Sequence, residues 1–283
     1  MLLSAYRGSL LLDLIPDSAA EQAAPTPRQL LLKLLGSGKD EELDAASAVR
    51  AGALFGISAN NTRVALARLQ AAGLIETVAR GAYRLGADGQ ALAQEVSAWR
   101  NAEQSLRNWD GGWVTVSTSA QGRSDRKELR ARQRALAFLG MRELEEGLHV
   151  RPDNFADGVP FVRARLLSLG LEAQVPVFLV THLDAEREAK ARGLWDSQQL
   201  EHTYRDGQRR IEDSLARLRD MPLDDAAREA YLLGDQAIRQ LVFDPLLPAP
   251  LVSVASRQTF REAVKHYDGV GRQIWRDFLA SAA

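Results

Sequence analysis

The sequence predicts a mixed α+β protein of several domains, and three observations carry that prediction. Two helical segments, a tight turn, a third helix and a glycine-tipped hairpin follow one another between Pro25 and Leu85. A strand, helix, strands, helix, strand succession fills the middle of the chain, and the remainder is helical in period to the end. At 283 residues, with 46% hydrophobic and 26% charged side chains, the chain is long enough for two or three folded domains.

Residues 1–24 read as an N-terminal arm without clear period. Pro25 and Pro27 open PRQLLLKLLG, a helix with Gly36 as its stop. A polar turn, SGKDEELD, leads to AASAVRAGALF, where Ala45, Val49 and Gly52 keep helical spacing. Gly56-Ile57-Ser58 is a tight turn, and Ser58 suits the N-cap of the next helix because its hydroxyl can accept from a first-turn amide. In that helix Thr62, Leu66 and Leu69 recur at spacings of four and three and face inward. Asn60, Val64, Ala67 and Arg68 point the opposite way, with Asn61 and Arg63 on the flanks. LIETVA and AYRL flank Arg80-Gly81 as a hairpin. Helix, helix, turn, helix, hairpin is the order of a winged helix-turn-helix, assigned here to 25–87.

Residues 88–110 read as a linking helix broken at Asn108–Gly112. WVTVSTS is a strand, SDRKELRARQRALAFLG a charged helix, MRELEEGLHVRPDN one or two strands, FVRARLLSLG a helix and PVFLVTHLD a largely apolar strand. This split βαβ pattern predicts a ferredoxin-like domain over 111–184. From 185 to 283 a helical domain follows, with Leu200, Tyr204, Ile211, Leu215 and Leu218 on one face and Ala227, Tyr231, Ile238 and Leu241 on another. The last helix is expected to be interrupted at Gly269-Val270-Gly271.

Charge and chemistry narrow the function. The whole chain carries a net charge of −1, yet Ser58–Leu85 holds four arginines against the single acid Glu76. A local basic surface on a helix-turn-helix suits nucleic acid. Asn60, Val64 and Arg68 are the candidate base contacts with Asn61 in support, since asparagine matches adenine, arginine guanine and an aliphatic group the thymine methyl. Ser58 sits at the helix start, Arg63, Arg80 and Arg84 would position phosphates, and Tyr83 belongs to the same wing surface. A second basic cluster, Arg123, Arg126, Lys127, Arg130, Arg132 and Arg134, set against Asp125 and Glu128, is a solvated helix face, a surface for a phosphate-bearing effector or a further contact with DNA. The tryptophans, Trp109, Trp113 and Trp195 among them, suit core or interface anchors; with Trp113 or Trp195 as an aromatic wall instead, the basic cluster is the candidate effector site.

Other classes are poorly supported. Cysteine is absent, which excludes disulfides and thiolate chemistry and is in keeping with a reducing cytoplasm. No apolar run reaches the roughly 20 residues of a membrane span, and the four histidines are scattered. No Walker loop, dinucleotide fingerprint or nucleophile elbow occurs. No cofactor, metal or catalytic residue is expected.

LLLKLLG, AVRAGALFGISANNTRVALARLQAAGLIE with its GAYRL wing, GLWDSQQLEHTYRDGQRRI and FDPLLP together resemble the PaaX family, the repressors of phenylacetate degradation. The resemblance implies a winged helix, a central domain similar to Cas2 nucleases and a helical C-terminal domain. It also implies a homodimer on double-stranded operator DNA, released by an aryl-acetyl coenzyme A thioester. The sequence departs from the family at two places. The first central strand ends Val116-Ser117-Thr118-Ser119 without the acid a Cas2-like metal site needs, and position 62 is threonine rather than a larger aliphatic residue. A metal-dependent nuclease and a winged-helix adaptor for protein partners are the competing readings.

Overall fold

The computed structural model describes residues 24–37, 41–122 and 125–281. The chain divides into two units. One contains Trp99–Gln208 and Gln240–Arg261; the other takes the described residues up to Ala98, Arg209–Arg239 and Glu262 onward. Three long C-terminal helices each supply a stretch to both.

The unit that starts at the N-terminus opens with α1 (Pro27–Leu35). Thr26 and Gln29 form a reciprocal capping box at its start, and Pro27 stands in the first turn, where a missing amide costs nothing. β1 (Leu43–Asp44) leads into α2 (Ala45–Ala53), and the Asp44 carboxylate accepts the amides of Ala46 and Ser47 at 2.8 and 2.9 Å. These bonds, with the Ser47 hydroxyl bond first among them, hold the Asp44 carboxyl below its ordinary pKa. α3 (Ala59–Ala71) follows a turn in which Gly56 adopts φ +70°, a conformation side chains resist. β2 (Ile75–Ala79) and β3 (Ala82–Leu85) form the hairpin around Gly81, and the sheet order is β1-β3-β2, antiparallel throughout. β1 corrects the reading of 37–44 as a turn alone. Two residues are too few to show strand alternation, although Leu43 is buried and Asp44 exposed. α4 (Ala87–Ser97) and a 3₁₀ turn (Ala98–Ser105) occupy the linking segment.

In the other unit, β4 (Trp113–Ser117), α5 (Arg126–Phe138), β5 (Arg142–Glu145), β6 (Leu148–Pro152), α6 (Gly158–Ser168) and β7 (Val177–Val180) succeed one another. The sheet order is β5-β6-β4-β7, with every pairing antiparallel. β4 is central and buried from Trp113 to Val116. β7 is an edge strand, which is why its apolar run is not wholly covered: Phe178 and Leu179 are 40% and 45% exposed.

α7 (Ala185–Arg192), α8 (Ser197–Leu218), α9 (Leu223–Val242) and α10 (Val254–Ala280) complete the chain. The expected interruption at Gly269-Val270-Gly271 does not occur, and α10 runs through it. A Cβ at Gly271 would make ordinary van der Waals contact with the Ala230 Cβ at 3.5 Å, so this position packs against a neighbouring helix without breaking α10. No helix among the described residues is long and apolar enough to cross a membrane.

Candidate nucleic-acid interface

α3 presents two faces of opposite character. Thr62, Leu66 and Leu69 are buried, whereas Asn60, Asn61, Arg63, Val64, Ala67 and Arg68 are exposed. Ser58 caps the helix, its hydroxyl accepting the Asn61 amide at 3.2 Å. Thr62 explains its own presence: its hydroxyl donates to the Ser58 carbonyl at 3.2 Å, and a Cβ at Gly52 would come within 2.7 Å of that oxygen. α2 and α3 therefore touch at a glycine–threonine pair with no room for a larger residue.

Val64 stands 40% exposed, and the large hydrophobics exposed to that degree among the described residues are Val64, Phe178 and Leu179. The side chains of Arg63 and Arg68 on α3, and of Arg80 at the hairpin tip, have no hydrogen-bonded or ionic partner among the described residues. Arg84 does: its Nε lies 2.6 Å from Glu76 Oε1, across the β2–β3 pairing. Tyr83 is half-buried opposite Thr77 and Leu43.

Beneath the α2–α3 turn lies a support that local sequence did not reveal. The Phe55 ring sits 5.1 Å from that of Tyr231 and stacks on Trp275 at 6.4 Å and 12°. Lys33 of α1 lies 4.2 Å over the Tyr231 ring and pairs with Asp235 at 3.1 Å. Arg272 donates to the Ser37 carbonyl at 3.2 Å. Side chains of α9 and α10 thus floor the helices that carry the exposed basic face. Tyr231 was legible as a packed position, but nothing near it in sequence indicates Phe55 as its neighbour.

The second basic cluster does not assemble with the tryptophans. Arg123 lies outside the described residues. Arg126, Lys127 and Arg130 are exposed on α5, while Arg132 turns inward and holds Glu172 in a bidentate pair, Nε lying 3.0 and 3.1 Å from its two oxygens. Of the two readings of Trp113 and Trp195, interior anchors hold and a ligand-facing wall does not, since both are buried. Their rings stack 6.2 Å apart at 6°, Trp113 Nε1 donates to Glu188 at 2.9 Å, and Trp195 Nε1 donates to the Gly140 carbonyl at 3.0 Å. The reason is position: Trp113 starts the central strand, where both faces of the sheet are covered.

The C-terminal sequence motifs are architectural. Asp196 accepts the Gln199 amide at 2.8 Å at the start of α8. Asp244 accepts the Leu246 amide at 2.7 Å, and Asn154 donates to the Leu246 carbonyl at 2.7 Å. Arg151, wholly buried, donates to the carbonyls of Leu139 and Pro245. Burial pushes its pKa down to about 9, against the opposing charge of Asp153, so the guanidinium stays charged at neutral pH.

No curated protein matches the chain. Among solved structures, the uncharacterized protein Rv0674 from Mycobacterium tuberculosis is similar over 89% of this chain and 97% of that one, with a TM-score of 0.60 and 23% identity. At that identity the likeness shows a shared fold. Residues 195–277 match the model of the PaaX-like protein C-terminal domain. The match over those residues supports a PaaX-like relationship.

Proposed function

We propose that this protein is a sequence-specific DNA-binding transcriptional repressor of the PaaX type. In this reading 25–87 is a winged helix-turn-helix and α3 its recognition helix, and the central sheet belongs to a ferredoxin-like, Cas2-like domain. The observation that carries the proposal is the outer face of α3. It is free of acids, and it places Asn60, Val64 and Arg68 along one line, flanked by cations that no described neighbour neutralises. A solvated helix of a mildly acidic protein normally mixes both signs of charge. A short-chained, basic, partly apolar ridge fits the major groove instead.

Asn60, Val64 and Arg68 read bases, and Arg63 and Arg80 hold phosphates. Arg84 has to leave Glu76 to join them; both groups are about half exposed, so that exchange costs little. Two copies related by a two-fold axis would set their recognition helices about 34 Å apart on an inverted-repeat operator. Release would follow when an aryl or acyl coenzyme A thioester, or a related aromatic acid, binds the off-operator form more tightly than the DNA-bound one.

Arg68→Ala tests the reading in a titration against operator and scrambled duplex. The expected loss is about 1–3 kcal/mol on the operator with little change on the scrambled sequence. Equal losses on both would remove Arg68 from the base-reading set.

A further inference from the structure

One cleft belongs to neither the basic face nor the tryptophan stack. It has a volume of about 590 Å³ and lies beside the edge strand β7, with Arg107, Asp153, the first turn of α6, Arg163, Phe178 and Leu179 in its lining. That volume is within the range, roughly 300–1,000 Å³, of small-molecule sites.

Three features of the lining each ask for a different part of a ligand. The first is an acceptor without a donor. Asp153 is 4% exposed, and its Oδ2 pairs with Arg107, but its buried Oδ1 has no hydrogen-bond partner. A buried carboxylate oxygen left unpaired costs free energy that an N–H or O–H of a ligand would recover. Gly158 leaves the approach open: at its φ of +53° a Cβ would stand 3.2 Å from that oxygen. The second is unused positive charge. Arg163 spends one nitrogen on the Val177 carbonyl and is otherwise exposed. The α6 N-terminus beside it has no side-chain cap, because Asp157 occupies the N-cap position without bonding the amides. Asp157 itself is exposed at the rim, where water screens it. The third is the apolar wall of Phe178 and Leu179, two of the large side chains that the fold leaves exposed.

We propose that this cleft binds a small carboxylic acid with an N–H or O–H donor on the carbon next to its carboxyl group and an apolar side chain, that is, an α-amino or α-hydroxy acid. The carboxylate meets Arg163 and the Val159 amide, since the Gly158 amide donates to the Phe155 carbonyl and Pro160 has none; the donor fills Asp153 Oδ1, and the side chain lies against Phe178 and Leu179. This site does not depend on the DNA-binding reading, since it is measured without DNA.

Calorimetric titration of the full chain with L-phenylalanine, L-3-phenyllactate, 3-phenylpropionate and 2-phenylethylamine tests it. Phenylalanine or phenyllactate is expected to bind at least ten-fold more tightly than the two compounds that lack either the donor or the carboxylate. Which of the two binds separates the amino from the hydroxy class. Arg163→Ala and Phe178→Ala, both at exposed positions that leave Asp153 and Arg107 in place, should weaken binding at least five-fold with an unchanged circular dichroism spectrum. Silence from phenylalanine and phenyllactate, equal binding of 3-phenylpropionate, or binding untouched by both substitutions overturns the proposal.

Discussion

At residue 52 a single hydrogen decides how closely α2 and α3 approach. The Thr62 Oγ1 occupies the space where a Gly52 side chain would go, at 2.7 Å from an ideal Cβ. Gly52→Ala should therefore cost about 1–3 kcal/mol by overpacking. The measurement is a urea unfolding curve, and an unchanged midpoint would show that the pair yields without strain. The same contact accounts for threonine at position 62, which the family resemblance marks as unusual. A larger aliphatic side chain would press on α2 and lose the bond to the Ser58 carbonyl. The inward and outward residues of α3 were legible because helical period alone separates them. That Trp113 and Trp195 are anchors was legible from their size and type, but their mutual stacking was not, since the two indoles stand 82 positions apart in sequence.

Among elements, α5 shows how a uniformly charged sequence acquires a buried side. Its arginines look alike in the sequence, but Arg132 is 5% exposed and its neighbours Arg126 and Arg130 are open to solvent. Burial opposes the charge on Glu172, yet the bonds from Arg132 outweigh it and hold the carboxyl below its ordinary pKa. Arg132→Met should destabilise the protein by about 3–5 kcal/mol at neutral pH, because Glu172 is left buried and unpaired. A folded pKa below the unfolded one means that the native pair stabilises fully above the ordinary carboxylate range. The stabilisation then fades as pH falls through the lowered value. The gap between native protein and variant should narrow accordingly in acid, as measured by thermal unfolding across pH. A gap constant down to pH 2 would contradict this assignment. β1 was hidden from sequence reading by its two-residue length, and the β7 cleft because its polar and apolar walls come from four separate segments.

On the scale of the whole molecule, the proposed repressor needs its ligand to weaken DNA binding, and that requires a difference in affinity between two states. A ten-fold rise in the operator Kd corresponds to about 1.4 kcal/mol of coupling. Anisotropy of a labelled operator complex, titrated with phenylacetyl-CoA, coenzyme A and free phenylacetate, should show at least that rise with the thioester. No response to any of the three would leave the DNA reading intact and remove the effector reading. The order of helices and strands was legible because breakers and periods change at their boundaries. The sharing of α8, α9 and α10 between two units was not, because nothing in a helical period records which neighbours each turn will meet.

The floor beneath Phe55 bears on how far this protein is modular. Every side chain proposed to contact DNA lies before residue 85, which invites excising the first third of the chain as a ready-made reading head. Such an excision would strip Tyr231 and Trp275 from Phe55 and leave an aromatic ring in water three residues ahead of the Ser58 cap. The proposed reading head and α10 are one piece of hydrophobic architecture, and a fusion or transplant of residues 25–87 would have to bring their distant floor along.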